Sequence, residues 1–255
     1  MIHYFAYGSN MNPTRMQERC PGAVALGKAL LRNYRLAERL YADIDFEKGA
    51  ETGGVLYSVS TEHLQNLDYY EGCPDVYKRI LVDVECDGQI YQAIAYEQTL
   101  ETKTRRTGKL YDKTYQKICS DGADYYGVKN GFSTVKFIVY GTLMSGERNH
   151  RFCRNAIRIT PCTITGTLYD TGYGFPAFSP YGTNTVKAEL IELPLRDWNA
   201  VDALEGYPDF YNRSVLSAKL PDGAEALGWV YIMNSLPESS SVIKGGDWTK
   251  QAEVS

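Results

Sequence analysis

The sequence predicts an α+β protein made of two tandem domains, each a curved or barrel-like mixed β-sheet with flanking helices. Three observations carry this prediction. The chain repeats itself, half against half. Short alternating segments in each half read as strands. Helix-start signals fall between those strands, but without the regular alternation of a doubly wound sheet.

The repeat is clearest late in each half. Residues 67–79 read LDYYEGCPDVYKR and residues 201–213 read VDALEGYPDFYNR, with seven of 13 positions identical; average composition predicts about one. Upstream, Tyr4-Phe5-Ala6-Tyr7-Gly8-Ser9-Asn10 matches Phe137-Ile138-Val139-Tyr140-Gly141-Thr142-Leu143. The offset is 133 at the tyrosine–glycine pair and 134 at the glutamate. Gly54-Val55-Leu56-Tyr57 pairs here with Gly166-Thr167-Leu168-Tyr169, and that shorter offset implies a length difference between the halves. A period this long is a domain, not a solenoid unit. The expected division is a first domain over 1–132, a second over 133–248 and a frayed tail over 249–255. Order is expected to loosen from about residue 238, where Glu238-Ser239-Ser240-Ser241 and Gly245-Gly246 lie.

Element by element, Asn12-Pro13, Thr61-Glu62 and Pro194-Leu195 mark helix starts. Ile80–Glu85, Ile90–Tyr96, Lys136–Tyr140 and Leu227–Tyr231 alternate as strands do. Thr99–Thr107 carries Glu101, Lys103, Arg105 and Arg106 and has no apolar periodicity. Leu110, Tyr111, Tyr115 and Ile118 recur at helical spacing before Asp121-Gly122, which predicts a helix stopping there. That helix is appended to the first domain and has no counterpart in the second.

Composition narrows the function. The chain has 255 residues with 27 basic and 31 acidic side chains, a formal charge of −4, so no electrostatic argument favours nucleic acid as a partner. No apolar run approaches the roughly 18 residues of a membrane helix. The start, Met1-Ile2-His3-Tyr4-Phe5-Ala6-Tyr7, lacks the basic and apolar regions of a signal peptide. These features point to a cytoplasmic protein with no membrane partner. The six cysteines are scattered with no Cys-x-x-Cys, which favours reduced thiols. His3, His63 and His150 are the only histidines, so no metal site is expected. No glycine-rich dinucleotide or Walker-type loop is present, and no cofactor is expected.

Two places in each half suit chemistry. One is the strand–loop–helix junction, Tyr7-Gly8-Ser9-Asn10 and Tyr140-Gly141-Thr142-Leu143. Glycine lets the backbone approach a ligand, and the following helix offers unpaired N–H groups to a carboxylate or phosphate. The other is the glutamate that ends a helix, Glu71 and Glu205. Glu71 shares a helix face with Leu64 and Leu67, and Glu205 with Trp198 and Val201, so each carboxylate points inward. Burial and the negative helix end both raise its pKa, which suits a general base near neutral pH. The Pro-Asp-x-Tyr-x-Arg segments after each glutamate read as structural exit turns. Tyr96 and Tyr231 fit either a pocket wall or core packing, and His150 fits either a base or a surface helix residue.

These residues carry a resemblance. YFAYGSNM (4–11), CPGA (20–23), GVLY (54–57) and LDYYEGCPDVYKR (67–79) resemble the γ-glutamylcyclotransferases over residues 1 to about 130. FIVYGTLMSGERNH (137–150), GTLY (166–169) and VDALEGYPDFYNR (201–213) resemble the shorter γ-glutamylamine cyclotransferase, or AIG2-like, branch. The resemblance implies conversion of γ-glutamyl amino acids or γ-glutamyl amines to 5-oxoproline and a free amine, by attack of the substrate's own α-amine, with no cofactor. It implies Glu71 and Glu205 as general acid–base groups. It implies substrate binding by Tyr7, Gly8, Ser9, Asn10 and Tyr115 in the first half, and by Tyr140, Gly141, Thr142 and Leu143 in the second. The second half has no equivalent of Tyr115 and replaces Asn10 by Leu143, so the two sites are expected to take different substrates. Two other readings stay open: a non-catalytic or single-site binder of γ-glutamyl or other carboxylate ligands, and an amide hydrolase using the same glutamate. The fused copies fit a monomeric pseudo-dimer as well as a homo-oligomer.

Overall fold

The computed structural model describes residues 1–253. The chain divides into two compact units, Met1–Ser133 and Thr134–Ser255. The first runs β1 (Ile2–Ala6), α1 (Pro13–Arg19), β2 (Val24–Arg39), β3 (Tyr41–Val59), α2 (Thr61–Glu71), β4 (Tyr77–Cys86), β5 (Gln89–Gln98), α3 (Leu100–Arg106) and α4 (Lys113–Tyr126). The second runs β6 (Thr134–Val139), β7 (Arg158–Asp170), β8 (Pro176–Pro194), α5 (Trp198–Glu205), β9 (Tyr211–Lys219), β10 (Glu225–Met233) and β11 (Ser241–Val242).

Five strands close into a barrel in the first unit, in the order β1-β3-β2-β4-β5. All neighbours are antiparallel except β1 and β5, which meet in parallel at Tyr4 and Ile94. The second unit repeats the order as β6-β8-β7-β9-β10, with β11 added on the outer edge of β7. Its parallel pair is β6 with β10 at Phe137 and Trp229, and one pairing, Thr163 with Lys219, joins β7 to β9 and completes the ring. Both units are therefore mixed-sheet α+β domains. Each has its own core: Phe5, Leu31, Ile44, Leu56 and Leu67 in the first, and Phe137, Phe178, Ile191, Trp198 and Val230 in the second.

Strand register corrects the alignment of the halves. Val55 pairs with Ala6 on β3, whereas Glu189 pairs with Val139 on β8. The counterpart of residues 54–57 is thus 188–191, at the same offset of 134 as the glutamates. Gly166–Tyr169 instead lies on β7, the second strand of its unit. The likeness of GVLY to GTLY arises because both are short glycine-led strand segments, and it implies no length difference.

Two helix expectations also change. Thr99–Thr107 contains α3, capped by the Thr99 side chain on Thr102 N–H; its apolar contacts are too few to show a period. The helix α4 does not stop at Asp121-Gly122 but runs to Tyr126 and ends at Gly127. Gly122 is there for packing: a Cβ would lie 2.4 Å from Asn12 N and 2.6 Å from Met11 C. The segment from residue 238 is tied down rather than loose. Ser241 and Val242 pair with Asp170 and Tyr169, Ile243 is buried, and Lys187 Nζ bonds Asp247 at 3.3 Å. Of the tail expected to fray, Trp248–Glu253 forms a 3-10 turn, and residues 254–255 lie outside the described residues. Among the described residues, no helix is long and apolar enough to cross a membrane.

Candidate active sites

In the first unit, β1 runs through Tyr7 into a 3-10 turn over Ser9–Met11. Gly8 allows a close approach, since a Cβ would sit 3.0 Å from Ala42 Cβ and 3.1 Å from the Tyr115 hydroxyl. The Tyr7 hydroxyl donates to the Tyr96 carbonyl and fastens this loop to β5. Among the described residues, no backbone acceptor takes the N–H groups of Ser9 and Asn10.

Helix α2 brings Glu71 to the same place. Ser60 and His63 form a reciprocal N-terminal cap, Leu64 and Leu67 bury one face, and Gly72 ends the helix at φ 62°. Burying each leucine contributes about 1.5–3 kcal/mol, which holds the carboxylate-bearing end against the barrel. Asn10 Nδ2 donates to Glu71 Oε1 at 3.1 Å and to the Tyr4 hydroxyl at 2.8 Å. Arg19 Nη1 lies 3.4 Å from Glu71 Oε1 and bonds Asn10 Oδ1 at 2.8 Å. Burial lifts the Glu71 carboxyl above its ordinary pKa, while Arg19 and then Asn10 pull it back.

Two adjoining spaces share Ser9, Glu71, Tyr77 and Tyr115 in their walls. The inner one, about 30 Å³, is closed by Tyr4, Tyr7 and Tyr96. The outer one, about 620 Å³, is walled by Arg15, Arg19, Tyr41, Tyr70 and Arg106. The Tyr77 hydroxyl donates to the Ala42 carbonyl at 2.9 Å, and Ala42 N–H donates to the Tyr115 hydroxyl at 3.0 Å. Both phenols are thereby fixed beside the carboxylate.

The second unit rebuilds this frame with different walls. Helix α5 ends at Glu205, with Gly206 at φ 61°. A Cβ on Gly141 would lie 2.4 Å from Pro176 Cγ, so this loop also needs glycine for a close approach. The Tyr140 hydroxyl donates to the Tyr231 carbonyl at 2.7 Å, and the Tyr211 hydroxyl to the Pro176 carbonyl at 3.1 Å. Among the described residues, no hydrogen bond or ion pair reaches the Glu205 carboxylate, and burial pushes its pKa up to about 7. The cavity beside it is about 250 Å³ and includes Arg148, Asn149, Phe175, Leu204 and Phe210 in its walls.

One aspartate braces each helix end. Asp68, three residues before Glu71, accepts from the Tyr96 hydroxyl at 2.8 Å and from Arg79 Nε at 2.7 Å. Asp202 accepts from the Tyr231 hydroxyl at 2.6 Å, with Arg213 Nε at 3.7 Å.

Two copies of a tyrosine–glycine loop, each facing a partly buried glutamate at a glycine-ended helix, match one family model over residues 4–117 and 137–250: gamma-glutamyl cyclotransferase, AIG2-like. The chain belongs to this family. It is 31% identical over 103 residues to the gamma-L-glutamyl-butirosin B gamma-glutamyl cyclotransferase of Niallia circulans. That match covers 38% of this chain and 65% of that enzyme, just under two thirds of its length. A solved gamma-glutamyl cyclotransferase structure shares 26% identity, covering 49% of this chain and 80% of that one, at a TM-score of 0.41. An AIG2-like protein from Mus musculus shares 21% identity over 40% of this chain and 78% of its own, at a TM-score of 0.37.

In this family member, Tyr7, Gly8, Ser9, Asn10, Tyr115 and Glu71 all meet in one place, as do Tyr140, Gly141, Thr142, Leu143 and Glu205. The hydroxyls of Tyr7 and Tyr140 are already bonded to strand carbonyls, so these residues offer rings rather than free phenols to a ligand. Tyr96 and Tyr231 are cavity walls and braces at once. His150 is neither a cavity residue nor a helix-surface one; its Nδ1 lies 3.0 Å from the Leu143 carbonyl in a 3-10 turn, where it secures the loop. Sequence reasoning read Tyr77 and Tyr211 as parts of structural exit turns, whereas both line cavities, and it did not assign Arg15, Arg148 or Arg106 to a site. The first four were detectable, because each pair occupies matching repeat positions; Arg106 on α3 has no copy and gave no signal.

Proposed function

We propose that both sites catalyse cyclotransfer on γ-glutamyl compounds, releasing 5-oxoproline and the free amine. The substrate's α-amine attacks the γ-carbonyl carbon, a ring C–N bond forms, and the original amide C–N bond breaks. Glu71 or Glu205 takes one proton from the ammonium group before attack and a second from the ring nitrogen after it, and passes each to the departing nitrogen, which leaves as an ammonium ion. The tyrosine–glycine loops hold the α-carboxylate through backbone N–H groups, and the phenols shape the folded-back conformer. Such intramolecular geometry replaces several kcal/mol of the barrier, and acid–base transfer adds about 10²–10⁴ in rate.

The observation that carries this reading is the repeated pairing of a buried carboxylate of raised pKa with a glycine loop. Support for different substrates comes from the walls: the first site has Arg19 and Arg106 beside Arg15, whereas the second has Phe175, Leu204 and Phe210 beside Arg148. The test is 5-oxoproline release from γ-glutamyl amino acids, γ-glutamyl amines and ε-(γ-glutamyl)lysine. Glu71→Gln/Glu205→Gln is expected to lose at least about 100-fold relative to the parent. Release undiminished in that variant contradicts the assigned bases.

A further inference from the structure

Each site contains one arginine that the acid–base account leaves unused. Arg15 and Arg148 stand eight residues after Tyr7 and Tyr140, at the same offset of 133 as the loops themselves. Each lines its own cavity together with the glutamate of that site. Among the described residues, neither guanidinium makes a hydrogen bond or an ion pair. Arg15 is half-buried and its charge acts on Glu71 without bonding it, and Arg148 stands exposed at the mouth of its cavity. Its neighbour Arg19 is occupied by Glu71 and Asn10, and the position matching Arg19 in the second half is Phe152.

A feature present in both sites serves the part of the substrate that both sites share. The two cavities differ in size and in several lining side chains, whereas the γ-glutamyl head is common to any γ-glutamyl substrate. That head is a zwitterion, with a carboxylate and an ammonium group on one carbon. Each cavity offers the complementary pair, a free guanidinium and a carboxyl group, held apart rather than bonded to each other. A guanidinium fork matches a carboxylate in shape and charge.

We propose that Arg15 and Arg148 bind the α-carboxylate of the γ-glutamyl group, supplying the positive charge that the loop N–H groups share. This deepens the cyclotransferase reading and rests on it for the identity of the ligand. Arg106, found only in the first site, lines the same outer space as Arg15 and has no copy in the second.

The test begins with binding, which needs no turnover. 5-Oxoproline and its neutral amide are titrated into the full chain, into Arg15→Gln/Arg148→Gln and into the corresponding double Lys variant. The glutamine variant is expected to bind the acid at least ten-fold more weakly with its affinity for the amide unchanged, and lysine restores part of the loss. Unchanged affinity for the acid, or an equal loss for acid and amide, overturns the proposal. A kinetic arm compares γ-glutamylalanine with γ-glutamylalaninamide. If Arg→Gln raises KM for both alike, the arginines read the shared head; a loss confined to the free acid assigns them to the leaving group and overturns the proposal. Arginine-dependent binding of the acid in a chain that releases no 5-oxoproline leaves this subsite standing and removes the turnover reading instead.

Discussion

Glu71 and Glu205 occupy equivalent positions but not equivalent surroundings. Burial raises the Glu205 carboxyl to about 7. A carboxyl must be ionised to accept the ammonium proton, so release by the second site rises with pH and levels above about 7. The pH–rate profile of Glu71→Gln, in which only Glu205 remains, measures this; a profile flat from about pH 5.5 to 8.5 contradicts it. At Glu71, Arg19 opposes the burial shift. Arg19→Gln removes that opposition, so the ascending limb of the first site, measured in Glu205→Gln, moves to higher pH. Movement toward lower pH contradicts the assignment.

Among the elements, those that carry the glutamates were the most legible in the sequence. Leu64, Leu67 and Glu71 share a face, a Ser60 cap precedes them and a glycine follows, so helix, orientation and end were all written locally. The long hairpins β2–β3 and β7–β8 were not. In β2–β3 the outer face carries charges that pair across the strands, such as Arg32 with Glu51 at 2.7 Å and Arg35 with Glu47 at 2.8 Å, and this masks the alternation. Helix α4 was misread at its end because Gly122 looks like a stop, when its missing side chain admits the backbone of Met11 and Asn12. That contact seats α4, and with it Tyr115, against the loop. Gly122→Ala is therefore expected to cost about 1–3 kcal/mol by overpacking, although alanine favours helices. Thermal denaturation checks it, and a raised Tm contradicts the packing account.

At the scale of the whole molecule, duplication has preserved a frame and varied its contents. The offset stays at 133–134 through the first strand, the third strand and the glutamate, while the barrel closes in the same strand order twice. The repeat itself was legible because the tyrosine–glycine pair and the glutamate motif recur at nearly one offset; the substrate walls were not, because they come from residues scattered over several elements. Under the proposed function, glutamates kept in differently walled cavities give two independent activities on one chain. The direct measurement is 5-oxoproline release across the substrate panel by Glu71→Gln, Glu205→Gln and the double variant. Each single variant is expected to lose its own subset of substrates while keeping the other, and the double variant to lose both. Release that survives unchanged in the double variant, or identical losses in the two single variants, contradicts this expectation.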